Sequence, residues 1–322
     1  MNILCKITYK IGFLQGNFID CGKLTFFYEI PSVSFFTFFV LFLQKNSELK
    51  FSSQIKLYRK LRYRKGFGVH SPFTYDLITK VIEEKTPYYI FEEIESFRKE
   101  LLRRENPMKS LTEQEAQPKN YGALLFRLIN FFKSCNVLQI GSSTGLMSLY
   151  LALPLRNSCK CYALEERTGL LEAVGAFADD HSLKNLHLVE GDYEENLRRL
   201  KPEIDSFDFI FINAQGDAEK TRKSLRLVET FIYPETVMVI DNIGRNRAMK
   251  QLWNEIINRQ DARLTIDLLS LGLVFFNTPH LHKQHHKTYF DDGKKQNLHE
   301  KRRRRFHFLG RRKKGIQSQS AH

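Results

Sequence analysis

The sequence predicts an α/β fold built on a doubly wound, mostly parallel sheet that ends in an antiparallel hairpin. Short apolar runs, each closed by a glycine, an acid or an amide, alternate with segments whose apolar residues recur at helical spacing. This alternation is typical of parallel sheets with helices on both faces. Only four residues separate the runs 264–268 and 273–276. That connection is too short for a crossover helix, so these two strands must pair antiparallel.

The parallel strands are expected at five apolar runs, namely Val137–Ile140, Cys161–Leu164, Leu186–Val189, Phe207–Ile212 and Val237–Ile240. A basic amphipathic stretch at 52–65 comes first, and helices are expected at about 75–82, 88–105, 122–132, 146–153, 170–180, 194–200 and 221–230. Met249 and Trp253 lie one helical turn apart, which favours core positions for both, although Trp253 is also a candidate for a pocket wall.

The composition is that of a globular protein with strongly basic ends. The 322 residues are 42% hydrophobic, which is enough for an ordinary core, and their formal net charge is +14. Residues 280–322 carry 13 Lys or Arg against 3 acids, and residues 1–65 carry 11 against 3. The part between them is therefore mildly acidic, and any binding to nucleic acid or an anionic surface must come from the ends.

The five cysteines, Cys5, Cys21, Cys135, Cys159 and Cys161, form no C-x-x-C pair and have no histidine at metal-binding spacing. We therefore expect reduced thiols in a cytoplasmic protein.

One stretch combines the elements of a cofactor site. The run Val137–Ile140 ends at Gly141, a small-residue loop leads to Gly145, and a helix follows until Pro154. The next strand ends at Glu165. Glycines in such a turn let a ligand approach the backbone, and a carboxylate about 20 residues further on suits a vicinal ribose diol. This order predicts an adenosine-binding crevice.

The spacing of the glycines argues against NAD or FAD and suits a cofactor without phosphates. A dinucleotide fingerprint reads G-x-G-x-x-G, whereas Gly141 and Gly145 are separated by three residues and no third glycine follows. The fingerprint and a final parallel strand would both be required for a nucleotide-fold oxidoreductase, and both are absent.

The segments VLQIGSSTG and YALE resemble the first two motifs of class I S-adenosylmethionine-dependent methyltransferases. The resemblance implies a Rossmann-like methyltransferase fold with S-adenosylmethionine as cofactor. It also implies that the loop with Gly141, Ser143 and Gly145 lies under the methionine part and that Glu165 holds the ribose. Asp192 matches the acid after the third strand that often lies near the adenine, although a solvated loop acid is the alternative. Asn213, at the end of the fourth strand, is a further cofactor-binding candidate.

The element GFGVHSPF, which contains His70, resembles an N-terminal signature of an uncharacterised set of class I methyltransferases best represented in Bacteroidetes. TIDLLSLGLVFF resembles the end of the same set. The likeness implies an N-terminal helical lid over the substrate pocket and makes His70 a candidate base or substrate contact. The alternative is a histidine that fixes the turn before Pro72. The glycine-rich turn of that set is missing from 106–120, which leaves the substrate side open.

The pair Asp241-Asn242 is more distantly similar to the metal site of catechol-type O-methyltransferases. In that family an Asp at the fourth strand end completes the site, but here the position is Asn213. Because Mg²⁺ prefers carboxylates and water, we expect no metal. Asp241 is then a candidate base or substrate contact. Alternatively, both residues cap the loops that they open.

The two ends are expected to lie outside the catalytic part. Residues 1–51 form a leader whose apolar core, Val33–Leu43, is too short to span a bilayer and is followed by no cleavage site. It is either disordered, an interfacial anchor or a packed extension. Residues 280–322 contain clustered histidines and two basic blocks and are expected to be a disordered tail. The tail is either simply solvated or attracted to RNA, DNA or anionic lipid.

These features divide the chain into a leader (1–51), a helical lid and linker (52–120), an S-adenosylmethionine-binding domain (121–279) and a tail (280–322). The expected function is methyl transfer to a small-molecule oxygen or nitrogen acceptor. The alternative is a non-catalytic protein of the same fold that binds nucleic acid through its basic ends. Nothing in the sequence names the acceptor.

Overall fold

The computed structural model describes residues 51–103, 118–278 and 281–293. The predicted leader, most of the linker and the basic blocks of the predicted tail lie outside these residues. The helices are α1 (Phe51–Arg62), α2 (Pro72–Leu77), α3 (Ile90–Arg103), α4 (Lys119–Phe132), α5 (Leu146–Ala152), α6 (Glu172–Asp180), α7 (Tyr193–Leu200), α8 (Ala218–Val228) and α9 (Arg247–Asn258). The strands are β1 (Asn136–Ile140), β2 (Lys160–Glu165), β3 (Leu186–Glu190), β4 (Phe209–Ile212), β5 (Val237–Asp241), β6 (Ala262–Asp267), β7 (Leu271–Phe276) and β8 (Gln284–Lys287).

The strands of the described part form one sheet in the order β3-β2-β1-β4-β5-β7-β6-β8. Strands β1 to β5 are parallel, and β7 is antiparallel to both β5 and β6. The predicted fold class is therefore confirmed, including the antiparallel pair. The chain order reverses between β1 and β4, which is where ligands bind in open sheets of this kind.

Alternate residues of the central strands face two separate apolar layers. Val137, Phe209 and Phe211 face the layer that contains α2 to α6, whereas Leu138 and Ile210 face the layer that contains α7 to α9. Successive side chains of a strand point to opposite faces, so a run that is apolar throughout is buried on both. The described helices are too short or too polar to cross a membrane.

Trp253 belongs to the second layer. It is 4% exposed, and a Cβ added to Gly272 in β7 would lie 2.6 Å from its ring. Met249 is buried beside it. The expected core positions of both residues are confirmed.

The predicted start of the tail at residue 280 is wrong for the residues that the structure describes. Gln284–Lys287 form β8, which pairs parallel with β6 although the segment has no apolar alternation. The carboxylate of Asp267, the last residue of β6, accepts hydrogen bonds of 2.8 and 3.1 Å from the guanidinium of Arg59 in α1. Arg59 also donates to the carbonyl of Thr288, directly after β8. One buried cation therefore ties the helix to both strands.

The expectation of reduced cysteines is wrong for Cys135 and Cys159, which form a disulfide with their Cα atoms 4.5 Å apart. The reason is the register of the sheet. Asn136 in β1 pairs with Lys160 in β2, so the residues that precede them face each other. Cys161 is buried and free. Cytoplasmic localisation remains a prediction.

We expect replacement of Arg59 by methionine to lower the free energy of unfolding by about 3 kcal/mol, because it leaves the Asp267 carboxylate buried without its partner. Burial alone would raise the pKa of Asp267, but hydrogen bonds and charge from Arg59 outweigh it and hold the pKa below its ordinary value. The pair therefore stabilises the fold above the ordinary carboxyl pKa, and this contribution is lost as pH falls through the depressed pKa. Urea unfolding of wild type and Arg59→Met at several pH values measures this.

The control for that experiment is Lys80→Met, which removes an exposed i,i+4 pair with Asp76. Such a pair contributes less than about 1 kcal/mol. An equal decrease in the free energy of unfolding in both variants would contradict the role given to the buried pair. So would a decrease in Arg59→Met that is as large at acid pH as at neutral pH.

We expect peptide mapping without reductant to recover Cys135 and Cys159 in one linked fragment. Because the bridge closes a loop of 24 residues, Cys159→Ser should lower the free energy of unfolding by about 3 kcal/mol. The same comparison with reductant present is the control, and the difference should then disappear. Separate alkylated peptides from an oxidised sample would argue against the bridge.

Candidate functional site

The predicted site residues at the strand ends meet at one edge of the sheet. Gly141 follows β1, Glu165 ends β2, Asn213 follows β4 and Asp241 ends β5. Because these strands are parallel and adjacent in the order β2-β1-β4-β5, their carboxyl ends line one edge, with the reversal of chain order at its centre. We call this the carboxyl edge.

The glycine loop is shaped by close backbone contacts. Gly141 and Gly145 have φ angles of +78° and +75°, which glycine adopts without strain. A Cβ on Gly141 would lie 2.1 Å from the carbonyl oxygen of Asn213, and one on Gly145 would press on Val174 at 3.0 Å. The backbone N–H groups of Gly141 and Ser142 both donate to the carbonyl of Leu164 at 3.0 Å. The loop is therefore held against the ends of β2 and β4, and only glycine fits at its two turning points.

Glu165 is joined to this loop directly. It is 3% exposed, and its Oε2 accepts a hydrogen bond of 2.5 Å from the backbone N–H of Ser143. Its Oε1 accepts hydrogen bonds from the Nε and backbone N–H of Arg167, at 2.7 and 3.3 Å. These three donors leave the carboxylate room for one further hydrogen bond, since it can accept about four.

Asn213 and Asp241 are buried where the loops after β4 and β5 begin. The side-chain oxygen of Asn213 accepts a hydrogen bond of 3.3 Å from the backbone N–H of Gln215. Asp241, which is 2% exposed, accepts hydrogen bonds from the backbone and side-chain amides of Asn242 at 2.7 and 2.8 Å. Both therefore shape their own loops, which was one of the two interpretations of the sequence.

The part of the chain that contains this site is similar to known proteins. Residues 138–243, which include the glycine loop, Glu165, Asn213 and Asp241, match the family model of a methyltransferase domain. The matched segment is about a third of the chain and contains the carboxyl ends of β1 to β5.

One curated relative is described as a probable cobalt-precorrin-6B C(15)-methyltransferase (decarboxylating) of Sulfolobus acidocaldarius. It is 29% identical over 121 residues, which are 38% of this chain and 60% of the relative. The chain thus spans less than two thirds of the length of that protein.

Among solved structures, the chain is similar to an O-methyltransferase from Bacillus cereus in complex with S-adenosylhomocysteine (SAH). The identity is 17%, the likeness covers 62% of this chain and 96% of that chain, and the TM-score is 0.45. A second is an SAH-bound methyltransferase from Podospora anserina, with 15% identity, 64% and 96% coverage and a TM-score of 0.48.

Two tyrosines at the carboxyl edge, Tyr121 and Tyr193, were missed by the sequence analysis. Burial, reinforced by the negative charge of Asp241, raises the pKa of Tyr121. Burial and the charges of Glu165 and then Glu166 raise the pKa of Tyr193. Both phenols therefore remain protonated at neutral pH. Tyr121 lies in the first turn of α4, the helix that leads into β1. Because helices in this fold run opposite to the strands, that position in the sequence could have predicted a tyrosine at the carboxyl edge.

Glu190 was also missed. Its carboxylate, at the end of β3, accepts hydrogen bonds of 2.8, 3.1 and 3.2 Å from the backbone N–H groups of Gly169, Leu170 and Leu171. These bonds hold the loop after β2, and that loop brings Arg167 to Glu165.

Asp192 lies at the same edge but serves the helix that follows it. It is exposed and caps α7, because its carboxylate accepts a hydrogen bond of 3.0 Å from the backbone N–H of Glu195. That hydrogen bond is the main cause of the lowered pKa of Asp192. A contact with adenine remains a prediction.

His70 is not brought to the site. It is exposed, and Phe73, three residues further on, packs on Phe132 and Phe275. Phe275 pairs with Val237, the first residue of β5. His70 therefore lies towards the amino ends of the parallel strands, the edge opposite Asp241. It precedes Ser71, whose side chain caps α2, and this fits the turn interpretation.

The donor set at the carboxyl edge does not resemble a metal centre. Among the described residues, no group of three or more His, Cys, Asp or Glu side chains is arranged to hold an ion. Asn213 places an amide where the catechol-type site has its second carboxylate.

Proposed function

We propose that the protein transfers a methyl group from S-adenosylmethionine to an oxygen or nitrogen atom of a small molecule. The observation that carries the proposal is the contact between the glycine loop and Glu165 inside the segment that matches a methyltransferase domain. A turn with no phosphate fingerprint and a buried carboxylate at the next strand end suit an adenosine group without phosphates.

The residues present fit this cofactor. Glu165 can accept a hydrogen bond from a ribose hydroxyl at its remaining site. The hydroxyl of Ser142, in a residue that is 4% exposed, has no hydrogen-bond partner among the described residues. A buried hydroxyl without a partner costs free energy, so a polar ligand at the loop would relieve that cost. The cofactor itself supplies an electrophilic methyl group on a sulfonium.

Asp241 and Tyr121 are the groups that we assign to the acceptor side. Methyl transfer needs an in-line approach of the nucleophile, and a base only if the nucleophile carries a proton. Asp241 can accept that proton or orient the acceptor, while the Tyr121 hydroxyl can donate a hydrogen bond. We assign Gly141, Ser143, Gly145 and Asn213 to the cofactor side and propose no metal.

We expect calorimetric titration of the full-length protein with S-adenosylmethionine and SAH to show micromolar binding. Glu165→Gln should weaken it about tenfold or more, because a hydrogen bond to a charged group contributes about 1.5–3 kcal/mol. The matched control is Glu203→Gln, which changes an exposed acid before β4, away from the carboxyl edge.

Folded wild-type protein that gives no heat with either ligand would refute the cofactor assignment. Unchanged binding by Glu165→Gln would refute the role of that residue alone. Thermal unfolding of both variants separates lost binding from lost structure.

We expect Arg167→Ala to tighten cofactor binding several-fold. The Arg167 side chain is 39% exposed and occupies Oε1 of the carboxylate that we assign to the ribose. Removing it leaves a buried acceptor that the ribose hydroxyl can satisfy. Weaker binding in this variant would mean instead that Arg167 contacts the cofactor, and Arg198→Ala, in an exposed pair with Glu194, is the control.

A further inference from the structure

A cavity of about 460 Å³ lies beside the candidate site. Its walls come from the end of α1, the segment after α2, the beginning of α4 and the segment after β8. Since α4 begins at the carboxyl edge, the cavity opens at that edge too.

The cavity walls are rich in positive charge. Five cationic side chains line it, against three acids. The acids Glu83 and Glu84 accept hydrogen bonds from backbone N–H groups, and Asp291 lies 4.0 Å from Lys85. Three cationic residues, Lys60, Arg64 and Lys119, have no ion-pair partner in the part of the chain that the structure describes.

Two further features of the lining favour an anion. Helix α4 begins at Lys119 without a capping side chain and without an acid in its first turn, so its positive end faces the cavity. The ring of Tyr289 lies 5.9 Å from the amino group of Lys60, and Phe290 also lines the wall. The cavity thus combines cationic groups with aromatic surface, which suits an organic anion more than inorganic phosphate.

Two aromatic rings, those of Phe290 and Tyr121, lie between this cavity and Asp241. Phe290 is 7% exposed, and its ring centroid lies 5.8 Å from that of Tyr121. Tyr121 in turn is close enough to Asp241 for the negative charge to raise the pKa of the phenol, after the effect of burial. The cavity and Asp241 therefore lie on neighbouring parts of the carboxyl edge, with these two rings between them.

We propose that this cavity binds the carboxylate or phosphate group of the methyl acceptor, so that the acceptor is an organic anion. The inference rests on the proposed function, which it extends by naming the class of substrate. Arg64 and Lys119 hold the anionic group, and the nucleophilic atom extends towards Asp241.

The test is calorimetric titration of the full-length protein with benzoate, phenyl phosphate and the uncharged benzyl alcohol, with and without saturating SAH. We expect an anionic probe to bind at least about tenfold more tightly than benzyl alcohol, and Arg64→Gln and Lys119→Gln each to remove about tenfold of that affinity. Benzoate and phenyl phosphate distinguish the two anionic groups. Lys250→Gln, an exposed lysine of α9 on the other side of the sheet, should have no effect.

Saturating SAH should change the affinity for the anionic probe by about fivefold or more, because an acceptor site is coupled to its cofactor site. Equal binding of charged and neutral probes, or binding that neither cavity variant weakens, would overturn the anion site. Anion binding that is indifferent to bound SAH would overturn its assignment to the acceptor. If SAH itself does not bind, the proposed function fails and with it the assignment to an acceptor, whereas the probe titrations without SAH still decide whether the cavity binds anions.

Discussion

The contact between Gly141 and the carbonyl of Asn213 is the constraint on which the carboxyl edge depends. At the reversal of chain order, the chain leaves β1 towards one face of the sheet and leaves β4 towards the other, and the two backbones separate only after passing within van der Waals contact. The Cβ of a side chain at position 141 would lie 2.1 Å from the carbonyl oxygen of Asn213, which is far closer than van der Waals contact allows. The same glycine that opens a crevice for a ligand is therefore already required by the packing of two strands. Its presence alone does not demonstrate binding.

Glu165 adds a buried carboxylate to this backbone geometry. A carboxylate that is nearly inaccessible to water is costly unless its lone pairs are satisfied. Here the backbone of Ser143 and the side chain of Arg167 supply donors, and Glu190 holds the loop that carries Arg167. The network fixes the glycine loop to the end of β2 and keeps one negative charge in place. It also gives the acid at the end of β3 a structural role.

What the sequence could reveal depended on whether a feature was local. The runs that became β1, β2, β4 and β5 were recognisable because a strand buried on both faces is apolar throughout. The glycine loop and Glu165 belong to one motif of 25 residues. β8 was not recognisable, since Gln284–Lys287 is polar and is held by the edge of β6 and by Arg59, more than 200 positions earlier. The pairing of Cys135 with Cys159 required the register of two strands. His70 was misplaced because a motif next to a helix start does not reveal which edge of the sheet that helix reaches.

The distribution of charge along the carboxyl edge bears on how one edge can serve two ligands of opposite sign. A sulfonium cofactor is favoured near carboxylates, and Glu165 and Asp241 are the buried acids at the reversal point. A cation-lined surface in direct contact with the sulfonium would oppose its binding, because charges interact strongly where water is excluded. The cations of the cavity are instead exposed at Lys60, Arg64 and Lys119 and stand behind the rings of Tyr121 and Phe290. Solvent screening at the rim and an apolar layer between the two regions reduce the repulsion between the cavity cations and a sulfonium, so that one edge can hold both an anionic group and a cationic cofactor.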